Sequence, residues 1–79
     1  MALKVVFSNE RGSYPSDKIV NFCGLRVIDE LMKKPFEYNG RMTRQIRVNF
    51  EKKGRLYYVL KSKNEKKGEF TFHVYEYIE

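Results

Sequence analysis

The chain is poor in the residues that build crosslinks and metal centres. Cys23 is the only cysteine among 79 residues, so an intramolecular disulfide and a cysteine-based zinc cage are both excluded. His73 is the only histidine, and the two residues together do not make an ordinary structural metal site. No apolar run approaches the roughly eighteen residues that a membrane helix needs. The N-terminal MALKVVFSNERG has too short an apolar core for a signal peptide and no small-residue cleavage pattern. Small secreted domains normally carry crosslinks, so their lack points to a reducing, cytoplasmic compartment and to no membrane partner.

Catalytic constellations are equally sparse. A Ser-His-acid set would have to use His73, far from any evident nucleophile, and a lone strand histidine is a weak case for a general base. Cys23 falls on the apolar side of a helical pattern, where a thiol behaves as a small hydrophobe. Gly24 is placed within the helix and Gly40, Gly54 and Gly68 in turns, so no phosphate-cradling glycine loop forms. The expectation is a protein without enzymatic activity or cofactor.

What the chain has is aromatic and apolar content. Hydrophobic residues make up 42%, including six tyrosines and six phenylalanines, enough for a core in one domain spanning residues 1–79. A chain this short buries only about 60% of its extended surface, which leaves little room for a deep cavity.

Periodicity predicts the elements. Leu3, Val5 and Phe7 alternate onto one face of a first strand, and Ser8 to Pro15 forms a polar loop. One amphipathic helix is predicted from Ser16 to Lys34, with Ser16 as N-cap, Asp17 in the first turn, and Pro35 ending the run. Its polar stripe holds Lys18, Arg26, Asp29, Glu30, Lys33 and Lys34. Val20, Cys23, Leu25, Val27, Ile28, Leu31 and Met32 spread over the opposite face. Asp29 with Lys33 and Glu30 with Lys34 are acid-first i, i+4 pairs. Beyond Pro35 the period becomes two. Asn39-Gly40 is a strong hairpin signal, and a following strand turns Met42, Ile46, Val48 and Phe50 inward. A turn at Glu51–Gly54 leads to a strand over Arg55–Lys61. A polar loop, Ser62–Gly68, precedes a last strand over Glu69–Ile78. The expected fold is α+β: a two-layer sandwich with one helix on a mostly antiparallel sheet of four to five strands, in a β-α-β-β-β meander.

Charge is unevenly placed. Between Arg41 and Gly68 lie ten Lys or Arg residues against Glu51 and Glu65, whereas the rest of the chain holds six bases and eight acids. Such segregation is the footprint of a polyanion partner. The phosphate candidates are Arg41, Arg44, Arg47, Lys52, Lys53, Arg55, Lys61, Lys63, Lys66 and Lys67. If Leu56, Tyr58 and Leu60 face inward, Tyr57, Val59 and Lys61 point out beside Gln45, Arg47 and Asn49. Thr71, His73, Tyr75 and Tyr77 then complete an uncovered face. Bases stack on exposed aromatics, and Tyr57 is the leading stacking candidate, with His73 second. The expected function is a small basic regulatory protein that binds RNA or other single-stranded nucleic acid.

Two other readings stay open. A tyrosine-rich sheet face also suits a protein partner, as in a phage-encoded inhibitor or antitoxin acting on a host nuclease or toxin, alone or together with RNA. A small messenger-RNA-cleaving toxin would use Arg41, Arg47, Arg55, Tyr57 and Tyr75, although no motif specific to such toxins is found. An unpaired edge strand would also allow a homodimer.

Overall fold

The computed structural model describes residues 2–78, so Met1 and Glu79 lie outside it. The described chain is α+β, with two helices, a four-stranded sheet and a separate two-stranded sheet. In chain order the elements are β1 (Ala2–Gly12), α1 (Asp17–Cys23), α2 (Leu25–Lys33), β2 (Glu37–Tyr38), β3 (Arg41–Met42), β4 (Gln45–Lys52), β5 (Arg55–Lys63) and β6 (Phe70–Ile78). The larger sheet has the order β1-β6-β5-β4, with every ladder antiparallel.

The predicted single helix is two. Gly24 adopts φ 93°, ψ 147°, a conformation open to glycine and strained for other residues, and it separates α1 from α2. The break redirects the apolar face: Ile19, Cys23, Ile28 and Leu31 are buried, but Leu25, expected on the apolar side, is 70% exposed. Ser16 has extended N-cap backbone, yet its hydroxyl makes no capping bond and is buried without a partner. At the other end Lys34 is extended, as a residue before proline tends to be, and the helix stops there. The Asp29–Lys33 pair forms at 3.2 Å.

β2 and β3 make the short hairpin that Asn-Gly signals. Asn39 at φ 52° and Gly40 at φ 77° fit a two-residue turn whose twist matches its strands. Met42, expected inward, is 84% exposed, because this hairpin stands apart from the larger sheet.

The core lies between the helices and one face of the larger sheet. Ile19, Cys23, Ile28 and Leu31 pack with Val48, Val59, Phe72 and Val74. Val48 pairs with Val59 and Val59 with Val74, and directly paired residues share a face. β5 is therefore inverted relative to the sequence expectation. Tyr57, Val59 and Lys61 face the helices, and Leu56, Tyr58 and Leu60 lie on the open face. β1 also departs from simple alternation. Val5 pairs with Tyr75 and Phe7 with Val74, so Val6 is a bulged residue. The bulge puts Leu3 and Val5 on the open face, 51% and 56% exposed, while Phe7 packs against the core.

Candidate nucleic-acid interface

The inversion of β5 changes what its side chains can do. Tyr57 is 8% exposed, with its ring 5.1 Å from Phe22 and 5.5 Å from Phe50. It fills the core and presents no face for a base. Lys61 is 3% exposed. Its Nζ lies between the Phe36 and Phe70 rings, at 4.7 and 5.1 Å, and reaches Met32 O at 3.5 Å. Burial holds its pKa below the usual lysine value.

Lys52 does the same for α1. Its Nζ donates to Phe22 O at 3.1 Å and sits 4.0 Å over the Phe22 ring. Phe22 and Met32 are the penultimate residues of α1 and α2, so each lysine brings a positive charge to carbonyls that a helix end leaves without partners. Arg55 is held by Glu76 at 3.4 Å. Cys23, beneath the Lys52 end, is buried, and its thiol pKa is pushed up to about 12 by that burial, against the opposing charge of Lys52.

Five of the seven remaining candidate bases gather at one end of the larger sheet. β4 begins where β5 ends and β6 begins, with Gln45 opposite Ser62 and Lys63 opposite Phe70. The Lys63 N–H donates to Arg44 O at 2.9 Å, which ties the β3–β4 connection to the end of β5. Arg41, Arg44, Lys63, Lys66 and Lys67 share this basic end and are exposed. Lys63 covers the Phe36 ring at 4.8 Å. Glu37, Glu65 and Glu69 also lie there, and Asn64 Nδ2 donates to Glu69 Oε1 at 3.3 Å. Arg41, Arg44, Lys66 and Lys67 form no ion pair among the described residues. Lys53, at the opposite end, is exposed in the β4–β5 turn.

A groove of about 600 Å³ runs from this end onto the open face. Its outer wall is Lys34, Tyr38 and Thr43, its inner wall includes Arg47, Asn49 and Tyr58, and among the described residues no acid lines it. Tyr38 is 71% exposed beside the hairpin turn. It is an exposed aromatic that pattern reading passed over, although it immediately precedes the Asn-Gly signal. Arg47 lies 4.9 Å over Tyr58. Burial raises the Tyr58 hydroxyl pKa, Tyr75 adds to the rise, and Arg47 opposes it.

His73 lies on the open face, with Tyr75 stacked at 6.0 Å. Its Nδ1 accepts the Asn9 N–H at 3.4 Å, and burial lowers its pKa. Among the described residues no group of three His, Cys, Asp or Glu could hold a metal ion. No helix of the described residues is long and apolar enough to cross a membrane. No protein-family model, curated protein or solved structure matches the chain.

Proposed function

We propose that the chain is a regulatory protein that binds single-stranded RNA at its basic end, with Arg41, Arg44, Lys63, Lys66 and Lys67 on phosphates and Tyr38 under a base. The observation that carries this is the Lys63–Arg44 backbone bond. It brings the loop lysines and the hairpin arginines, which are far apart in sequence, to one end of the sheet beside an exposed tyrosine. Lysine and arginine neutralise phosphates whatever the sequence, and an aromatic face stacks any base for about 1–3 kcal/mol. Relative to the sequence expectation, the interface moves from β5 to this end, and Tyr38 takes the place of Tyr57.

A salt titration with a single-stranded RNA tests the proposal. Affinity is expected to fall linearly in log[salt], with a slope of about 0.7 per phosphate neutralised. Arg44→Glu combined with Lys66→Glu is expected to weaken binding at least tenfold and to flatten that slope. An RNA affinity untouched by this pair, or none at low salt, refutes the proposal.

A protein partner is the second reading, and the apolar open face favours it. Leu3, Val5 and Leu56 are each more than half exposed on that face, and a polyanion gains nothing from them.

A further inference from the structure

The open face is arranged in rows that are complementary to themselves. The middle row is Asn49, Tyr58, Tyr75 and Val5, read across β4, β5, β6 and β1. On the row toward the basic end stand Arg47, Leu60 and His73. On the row away from it stand Glu51, Leu56, Tyr77 and Leu3. Arg47 and Glu51 are each two residues from Asn49 along β4, so they lie at equal distances of roughly 7 Å on either side of the middle row.

We propose that a second copy of this chain packs on this face, related by a two-fold axis that lies between the sheets and runs along the middle row. Rotation about that axis exchanges the two outer rows. Arg47 of one copy then meets Glu51 of the other, twice, and Leu60 meets Leu56. An isologous contact must satisfy both copies with one patch, and the β4 and β5 positions of these rows do so in charge and in size.

The middle row lies at the contact's centre, where Tyr58 is already buried at 7% exposure and Val5, at 56%, offers the open apolar surface. The Tyr58 ring lies 5.1 Å from Tyr75 and 5.3 Å from Tyr77. Tyr77 is itself anchored, its hydroxyl donating to Asn49 Oδ1 at 3.0 Å. Aromatic rings held in this way lose little freedom on docking, which is why tyrosine is enriched at interface centres. The row at the basic end, Gln45, Ser62, Thr71 and Arg11, lies beyond the rows that the two-fold exchanges. The loop lysines lie farther out still, whereas Tyr38 of the hairpin shares a groove with Arg47, Asn49 and Tyr58 and borders the docked copy.

Size sets the expected strength. The three rows take in five residues of each strand, roughly 17 Å, across four strands about 4.8 Å apart, which gives about 320 Å² per copy. That is below the usual size of a specific interface, so the dimer is expected to be weak, dissociating at about 100 µM.

Sedimentation equilibrium of the full chain from about 1 µM to about 500 µM tests this. A monomer–dimer equilibrium is expected. Leu56→Asp is expected to shift it at least tenfold toward monomer while leaving the circular dichroism spectrum unchanged, since Leu56 is 54% exposed. Arg47→Glu and Glu51→Arg are each expected to weaken association, and the double exchange to restore it, because the swap regenerates both cross-copy pairs. A monomer at every concentration overturns the proposal and leaves the face to a partner of another sequence. A dimer indifferent to Leu56→Asp, or a double exchange without rescue, overturns it as well. RNA affinity of the Leu56→Asp chain is measured separately. Its loss would bear on the RNA reading, and monomerisation on this one.

Discussion

Lys61 Nζ lies 3.5 Å from the carbonyl oxygen of Met32, next to the last residue of α2. A lysine that composition assigns to a phosphate is thus spent on a helix end, 3% exposed and flanked by two phenylalanine rings. A cation near a helix C-terminus is favourable by about 0.3–1 kcal/mol, and more when partly buried.

Lys61→Ala is therefore expected to destabilise the fold by about 1–3 kcal/mol, through lost packing of the stem and an orphaned carbonyl. Lys61→Met, which keeps the stem and removes the charge, is expected to recover some of that loss. RNA affinity, measured where both variants are folded, is expected to match the unsubstituted chain. A loss of affinity without loss of stability would return Lys61 to the interface.

Tyr57 and Tyr38 make a matched contrast. Tyr57→Ala removes a ring packed on Phe22 and Phe50 and is expected to cost about 3–5 kcal/mol in chemical denaturation. In a domain of this size that is a large share of the total stability. Tyr38→Ala, at 71% exposure, is expected to change stability by less than about 0.5 kcal/mol. It is expected to weaken RNA binding about five- to a hundredfold without altering the salt slope, because stacking releases few ions.

Gly24→Ala tests the helix break. Nothing lies within 4 Å of a Cβ built there, so the substitution meets no steric obstacle from neighbours and the strain is in the backbone alone. At φ 93° the expected destabilisation is about 1–3 kcal/mol, read as a lower denaturation midpoint with an unchanged m-value. A neutral or stabilising outcome would mean that α1 and α2 join into one continuous helix when alanine permits it.

Pattern reading recovered the α+β class, the Asn39-Gly40 hairpin and the burial of Cys23, because each rests on local chemistry or a regular period. It failed where one residue changes the phase. Gly24 has ordinary helical neighbours, and only its φ reveals a break. The face of β5 was undetermined because its inner and outer residues are similar: Tyr57 and Tyr58 are adjacent, and Leu56 and Leu60 compete with Val59 and the apolar stem of Lys61. A register slip of one residue reverses every side chain of a strand. The basic segment was legible as charge but not as geometry. Lys52, Lys61 and Arg55 found partners within the fold, and the surviving bases have their neighbours elsewhere in the sequence.

His73 carries the pH dependence. Its folded pKa lies below the ordinary value of 6.5 because burial disfavours the imidazolium. Its Nδ1 can accept the Asn9 N–H only when that nitrogen is unprotonated. Between the two pKa values the unfolded chain binds more protons than the folded one, so stability rises with pH there. Acidification is accordingly expected to remove the His73 contribution as pH falls below 6.5 and down through the folded pKa. Denaturation midpoints measured from about pH 7.5 to about pH 5 follow this directly, with His73→Gln as the reference chain lacking the titration. The unsubstituted chain is expected to lose more stability over that range than His73→Gln. Parallel curves would show that the acid sensitivity arises at carboxylates instead.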